Sequence, residues 1–353
     1  MFQYLLITLF TLTNTLYYNK ELNFISYFLE ENNYNFIEEF HQYKIDYKKE
    51  YSSTYEHWYR YNIFEDNYYN ILNHNNKYYT LGFNNYTDRL SDEVPKGYNG
   101  FPYFRNISRY HNYSKGLGKL KYNQIDWRSD GQVTNIKDQS QCGSCWAFSA
   151  IATIEGAHKR NTSNLVSLSE QDIVDCVPDC YGCGGGWPYL AIEYILNGTV
   201  VDQQTNKTHH DSNYTNGVDT ESSYPYMGVT NQCNFTNVSS SLGSLVSNLT
   251  LIPTNNTEAL IDAVLRVGPI SVAINAGGDF MNYESGIYKP EYCNPTQLDH
   301  AVTVVGFGVN EKGEKYFIVK NSWGTSWGMD GYIYMSADTP NLCGIAMDAC
   351  FAI

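Results

Sequence analysis

Basic residues are scarce in this chain. Its 353 residues include 23 Lys and Arg against 37 Asp and Glu, which gives a formal net charge of -14 at pH 7, and nearly all of the imbalance lies after residue 120. So acidic a chain offers no electrostatic footprint for nucleic acid or for an anionic membrane surface, and we exclude both classes of partner.

Long hydrophobic runs are also lacking, so no membrane span is predicted. The short apolar run from Tyr4 to Leu12 has the length of a signal-peptide core, although no Lys or Arg precedes it. We therefore expect residues 1–16 to be a signal peptide that directs the chain into the secretory pathway. In a secreted chain the following Asn residues, each in an Asn-X-Ser/Thr triplet, are candidate glycosylation sites: Asn161, Asn197, Asn206, Asn213, Asn234, Asn248 and Asn255.

The hydrophobic pattern divides the rest of the chain into two parts. Residues 35–76 are charged, with apolar residues at helical spacing, and we predict a helical segment there. Pro and Gly residues interrupt residues 89–120, which predicts a linker that contains a processing site. The part that follows begins with a predicted helix over 144–160 and ends with predicted strands over 270–274, 301–305, 316–319 and 332–335. Helices followed by strands indicate an α+β fold.

Three segments of the second part carry residues suited to thiol catalysis. The run from Cys142 to Trp146 reads C-G-S-C-W, which matches a signature known around nucleophilic cysteines. A Cys-x-x-Cys pair also occurs in redox and zinc sites, but no strand and helix of thioredoxin type surround this one. His300 lies at the head of a predicted strand, and Asn321 follows after one further strand. The nine cysteines fit a disulfide-bonded enzyme that keeps one thiol for catalysis.

A second motif lies in the helical segment before the linker. Its residues are spaced by three or four positions and therefore follow one side of a helix: Glu56, Arg60, Phe64, Asn67, Ile71 and Asn75. A solvated charged face is the simpler explanation of such a helix taken alone. A run with polar and aromatic residues at every second position follows: Gly82, Asn84, Tyr86 and Asp88.

Taken together, these motifs resemble the papain-like cysteine peptidases, in their cathepsin L-like branch. The resemblance covers residues 35–353 and implies a two-subdomain α+β fold, with a helical left subdomain and a β-barrel-like right subdomain, preceded by a mainly helical inhibitory propeptide. It implies an inhibitory propeptide over 17–120 and a catalytic domain over 121–353, with the mature N-terminus between Lys121 and Gln124. The propeptide is expected to lie in the cleft in the reverse of the substrate direction.

The resemblance also implies a role for each catalytic residue. Cys145 is the expected nucleophile and His300 its acid/base partner, while Asn321 orients the imidazole and Trp323 shields that contact. The Gln139 side chain and the Cys145 N–H are expected to stabilise the oxyanion. The start of a helix and an imidazolium neighbour would lower the thiol pKa of Cys145. No metal and no cofactor is expected.

Disulfides and substrate contacts are implied in the same way. The expected pairs are Cys142 with Cys183, Cys176 with Cys233 and Cys293 with Cys343, and a fourth bond is expected between Cys180 and Cys350. Gly185 and Gly186 are expected to hold the substrate backbone. The pocket for the residue that precedes the cleaved one, the P2 residue, would be formed by Trp187, Pro188, Ala273, Leu298, Ala301 and Asp348. Its apolar walls favour a bulky apolar P2 residue, and Asp348 favours Arg or Lys.

The expected partners are peptide and protein substrates, the chain's own propeptide and cystatin-type inhibitors, and we expect a monomer in a lysosome, in a digestive vacuole or outside the cell. A cathepsin B-like exopeptidase is one alternative, because an insertion over 198–217 carries His209 and His210. That insertion precedes Tyr224, however, whereas the loop of the exopeptidase lies after the equivalent point. A non-catalytic homologue is the other alternative, and it would be expected to lack Cys145 or His300.

Overall fold

The computed structural model describes residues 36–100, 111–114, 123–178, 180–197, 199–201, 208–210, 217–234 and 246–353. The predicted signal peptide, Lys121 and Tyr122 of the predicted range for the mature terminus, and Asn206 and Asn213 of the glycosylation triplets lie outside these residues. Among the residues that the structure describes, no helix has the length and apolar character needed to cross a membrane.

The chain divides into two compact units, of which the first is residues 1–69. Its described part contains helix α1 (Ile37–Asp46) and most of helix α2 (Thr54–Asn73). The rings of Phe40, Tyr61 and Phe64 pack at centroid distances of 5.1 to 5.4 Å and form a small aromatic core. The helical segment predicted over 35–76 is confirmed, and it consists of these two helices, which are separated by a turn at Lys48, whose φ is 51°. Apolar residues at helical spacing on both sides of the turn conceal it in the sequence.

The second unit, residues 70–353, is built around a large sheet. Ten strands take part in it: β1 (Tyr79–Leu81), β2 (His111–Asn112), β3 (Ile125–Asp126), β6 (Leu249–Leu251), β7 (Ile270–Ile274), β8 (Tyr283–Tyr288), β9 (His300–Val309), β10 (Lys315–Lys320), β11 (Tyr332–Ser336) and β12 (Ala349–Ala352). The order is β1-β8-β11-β10-β9-β7-β12-β6-β2, and β3 pairs with β9. The pairs are antiparallel except for β8 with β11 and β2 with β6. The four strands predicted from the sequence are β7, β9, β10 and β11, and all four are confirmed.

The helical part of this unit contains α3 (Cys145–Thr162), α4 (Glu170–Cys176) and α5 (Pro188–Asn197), and α6 (Thr257–Arg266) packs on the sheet. Helix α3 is the predicted buried helix, since its first 14 residues are all buried. A short hairpin of β4 (Thr199–Val201) and β5 (Thr208–His210) lies within the insertion predicted over 198–217. Side chains of α3 and α5 form one core, and side chains of the sheet and α6 form another. The predicted α+β fold with a helical and a sheet part is therefore confirmed.

Candidate active site

The thiol of Cys145 lies at the start of α3, where that helix meets the head of strand β9. Its side chain is fully buried, and its Sγ accepts a hydrogen bond from the backbone N–H of Ala301 at 3.2 Å. The residue before it, Ser144, contacts Tyr226 through their hydroxyl groups at 2.6 Å. The thiol is therefore positioned by α3, which it begins, and by β9, whose backbone donates to it.

His300 is the first residue of β9, and its ring is fixed from one edge and from one face. Its Nε2 lies 2.8 Å from the side-chain oxygen of Asn321, and the ring of Trp323 stacks on it at 4.8 Å between centroids. Because an amide oxygen only accepts hydrogen bonds, this contact places a proton on Nε2. His300 Nδ1 is buried and has no hydrogen-bond partner among the described residues. The geometry thus leaves Nδ1 as the nitrogen available for proton transfer.

Gln139 precedes the turn that leads into α3, and both ends of its side-chain amide are hydrogen-bonded. Its Nε2 donates to the carbonyl of Cys142 at 2.8 Å and to that of Lys96 at 3.0 Å, and its Oε1 accepts from the Ser322 hydroxyl at 2.7 Å. The Tyr226 hydroxyl donates to the Gln139 carbonyl at 2.9 Å, so Tyr226 connects Gln139 and the residue before the nucleophile. Tyr226 was not predicted to contribute to the site, and no motif around it indicates these contacts.

Burial controls the protonation of the two reactive groups in this structure. It raises the pKa of the Cys145 thiol to about 12, although the backbone N–H groups of Ala301 and Trp146 act in the opposite direction. Burial also lowers the pKa of His300, against the effect of its contact with Asn321. Both shifts favour a neutral thiol beside a neutral imidazole. The lowering of the thiol pKa expected from the helix start is therefore outweighed in this state by the loss of water.

Residues 95–100, here called the cleft segment, cover the thiol. Gly97 packs so closely on the carbonyl of Gly143 that a Cβ placed at Gly97 would lie 2.0 Å from that oxygen. Gly186 donates to the Gly97 carbonyl at 2.9 Å, and the bridge between Tyr98 and Gly186 is parallel. The Trp187 indole donates to the carbonyl of Gly100 at 2.9 Å. The cleft segment therefore occupies the surface on which Gly185 and Gly186 were predicted to hold a peptide.

The Tyr98 side chain of the cleft segment is buried beside the thiol. Tyr98 is buried in one cluster with Cys145 and with three of the residues predicted to form the pocket, Ala273, Leu298 and Ala301. Trp187 and Met347 pack against this cluster, and Met347 was not predicted. The Tyr98 hydroxyl donates a 2.5 Å hydrogen bond to Asp348. Pro188 is buried next to Trp187 at the first position of α5.

The structure contains the three disulfides expected from the resemblance, which join Cys142 to Cys183, Cys176 to Cys233 and Cys293 to Cys343. The fourth expected bond, between Cys180 and Cys350, was wrong: neither belongs to a disulfide.

The backbone of Cys350 is held in β12 between β6 and β7, and Cys180 packs against the same hydrophobic core. Proximity alone does not make a disulfide, which also requires suitable Cα separation and side-chain direction, and the sequence fixes neither. Among the described residues no group of three or more His, Cys, Asp or Glu side chains is arranged to hold a metal ion.

Comparison with known proteins gives two family matches in this chain. Residues 122–353 match the papain family cysteine protease domain, and residues 40–94 match the cathepsin propeptide inhibitor domain. Among curated proteins, the chain is 38% identical to cathepsin L of Sarcophaga peregrina, with 88% of this chain and 90% of that protein covered. It is 40% identical to digestive cysteine proteinase 1 of Homarus americanus, with 88% and 92% covered.

Solved structures give the same result. Digestive procathepsin L 3 from the larval midgut of Tenebrio molitor superposes with a TM-score of 0.77 at 34% identity, and the match covers 90% of this chain and 99% of that one. A recombinant stem bromelain precursor superposes with a TM-score of 0.75, also at 34% identity, over 90% and 98% of the two chains. Both neighbours are precursors.

Proposed function

The chain belongs to the papain family of cysteine proteases, and on that basis we propose that Cys145 is its nucleophile and His300 its acid/base partner. The protein is a cathepsin L-like cysteine endopeptidase that carries its inhibitory propeptide. Its similarity to cathepsin L and to digestive cysteine proteinases replaces the cathepsin B-like alternative.

The single observation that carries the catalytic assignment is the convergence of four side chains from separate parts of the chain. The Cys145 thiol accepts a hydrogen bond from the residue after His300, and the His300 ring is held by Asn321. The Gln139 side chain is hydrogen-bonded to the residue after Asn321. Each has the chemistry that one part of acyl transfer requires: a nucleophile, a proton carrier, a group that orients the carrier and an oxyanion donor.

The first half of the reaction forms a thioester. His300 holds a proton as imidazolium beside the Cys145 thiolate, which attacks the carbonyl carbon of the peptide bond. The carbonyl oxygen becomes negative and accepts hydrogen bonds from the Gln139 amide and the Cys145 N–H. The carbon–nitrogen bond then breaks, the His300 proton passes to the departing amine, and the acyl group remains on sulfur.

The second half consumes water. His300, now neutral, takes a proton from a water molecule while the water oxygen attacks the thioester carbon. The carbon–sulfur bond breaks, the acid product leaves, and the Cys145 thiolate and the imidazolium are restored. Asn321 holds the ring through Nε2 in both halves, so that Nδ1 exchanges the proton each time.

The precursor cannot enter this cycle, for two reasons that the cleft segment supplies. The first is that the Lys96 carbonyl accepts the Gln139 hydrogen bond that an oxyanion would need. The second is that the cleft segment is expected to run opposite to a substrate, which its parallel pairing with Gly186 at Tyr98 supports. Inhibition by the chain's own propeptide agrees with the matching inhibitor domain and the precursor structures. We propose that the propeptide spans residues 17–120, and that its removal leaves a catalytic domain of 121–353.

The pocket supports a substrate with a bulky side chain at P2, because Ala273, Leu298 and Ala301 present apolar walls and Asp348 adds one carboxylate. The remaining proposals concern the setting of the enzyme. Peptides and proteins are its substrates, cystatin-type proteins inhibit it, and it acts as a monomer. It follows the secretory pathway to a lysosome, to a digestive vacuole or out of the cell, which its similarity to digestive proteinases supports.

Hydrolysis of a fluorogenic peptide with Phe at P2 and Arg at P1 tests the proposed function. The acid-activated precursor is assayed with and without an epoxide inhibitor of thiols, alongside Cys145→Ala and a control, Cys350→Ala, which removes a cysteine buried in the core of the helical part. Activity should appear as a segment of about 100 residues is lost, disappear with the inhibitor and in Cys145→Ala, and persist in Cys350→Ala. Silence after verified processing would favour the non-catalytic alternative.

A further inference from the structure

In the precursor, the Tyr98 side chain of the cleft segment occupies the proposed P2 pocket. Tyr98 and Asp348 are 4% and 5% exposed, and the phenol hydroxyl donates to the carboxylate across 2.5 Å. The ring of Tyr98 meanwhile lies among Ala273, Leu298 and Ala301. The pocket is thus occupied by a side chain that has an apolar body and a hydroxyl donor at its tip.

The chemistry of this pocket favours a Tyr side chain over Phe and over Arg or Lys. A Phe side chain fills the apolar walls but gives Asp348 no hydrogen bond, and hydrogen bonds to charged groups are among the stronger ones. An Arg or Lys side chain offers Asp348 a charge, but the cation must leave water for apolar walls, and this cost consumes much of the gain from pairing. A neutral phenol donates a hydrogen bond to Asp348 without bringing a second charge from water into the apolar pocket.

We propose that Asp348 makes the processed enzyme select Tyr at P2, by accepting from the substrate phenol the hydrogen bond that it accepts from Tyr98 in the precursor. The inference rests on the proposed function and specifies its substrate class: peptides with a hydroxylated aromatic residue before the cleaved one. The propeptide side chain is then a mimic of the preferred substrate side chain, held on a backbone that runs in the opposite direction.

Three fluorogenic peptides that differ only in Tyr, Phe or Arg at P2 test the proposal on the acid-activated enzyme, with active thiol counted by epoxide titration. We expect kcat/KM for Tyr to exceed that for Phe about tenfold, as a hydrogen bond to a charged group allows. The kcat/KM for the Arg peptide should be lower than that for the Tyr peptide. Equal rates for Tyr and Phe, or a preference for Arg over Tyr, would overturn the proposal, and neither result depends on a variant that folds.

Two substitutions separate the hydrogen bond from the charge. In Asp348→Leu the ratio of kcat/KM for the Tyr peptide to that for the Phe peptide should fall to one or below. A ratio that stays near ten would show that Asp348 does not cause the selectivity. Asp348→Asn keeps an acceptor oxygen without the charge, so the rate with Arg should fall more than the rate with Tyr. If no peptide is cleaved although the thiol titrates fully, the proposed function fails and this inference fails with it.

Discussion

The side-chain amide of Gln139 donates a 3.0 Å hydrogen bond to the main-chain carbonyl of Lys96. A group proposed to stabilise the oxyanion is therefore occupied, in the precursor, by a neutral carbonyl of the propeptide. Inhibition and catalysis compete for the same donor, which makes Gln139 a useful residue to change.

Replacing Gln139 by Ala removes that donor from the processed enzyme. We expect kcat to fall about 100-fold to 1,000-fold with little change in KM, because the hydrogen bond strengthens only as negative charge develops on oxygen. Steady-state kinetics of the titrated enzyme measure both constants. Gln141→Ala, at an exposed position two residues away, is the matched control and should retain the parent rates. A rise in KM alone would contradict the oxyanion role.

Gly97→Ala should give the unprocessed precursor measurable peptidase activity. The added Cβ would lie 2.0 Å from the Gly143 carbonyl, and the φ of Gly97 is +128°, so the cleft segment must move. Gly100→Ala is the control, because φ there is also positive, at +81°, but among the described residues none beyond its chain neighbours lies within 4 Å of the added atom. Hydrolysis by intact precursor, with a second substitution in the linker to prevent self-processing, measures the effect. Equal silence of both variants would show that the close approach of Gly97 to Gly143 is not required for inhibition.

The reactivity of Cys145 should depend on pH differently before and after processing. In the precursor its pKa is raised to about 12 by burial, so the thiol form prevails and alkylation should be slow at neutral pH, accelerating as the pH rises towards that value. Removal of the cleft segment admits water, which favours the thiolate and brings fast alkylation at pH 5 to 7. Iodoacetamide labelling followed by mass spectrometry measures the rates, and Cys145→Ala reports the labelling of Cys180 and Cys350. Equal rates in both forms at pH 6 would contradict the prediction.

A partly buried lysine stabilises the helical part through two buried acids. Lys137 Nζ lies 3.3 Å from a carboxylate oxygen of Glu155 and 2.7 Å from one of Glu170, and these acidic side chains are 1% and 2% exposed. Replacing Lys137 by Met leaves both acids without this charge, and we expect a loss of about 3 to 5 kcal/mol in the free energy of unfolding. Urea denaturation in a Cys145→Ala background, which prevents self-digestion, measures it. Lys312→Met, at an exposed position, should change stability by less than about 0.5 kcal/mol.

Much of the local structure could be predicted from residue patterns. The apolar runs of β7, β9, β10 and β11 and the buried helix α3 occur where the sequence places them, because hydrophobic periodicity is a local property. The break between α1 and α2 was missed, since it depends on a left-handed residue, Lys48, that interrupts an otherwise helical pattern.

The sequence by itself determined which chemistry is available: one cysteine in a nucleophile signature, a histidine and an asparagine in their matching segments, and an N-terminal inhibitor motif. Only the tertiary structure decided which groups meet. It placed the Lys96 carbonyl on Gln139, Tyr98 on Asp348 and Tyr226 beside the nucleophile, and it kept Cys180 and Cys350 out of a disulfide. The physical reason is that residue types and local spacing specify helices, strands and reactive groups, whereas contacts between residues up to 250 positions apart depend on how the whole chain packs.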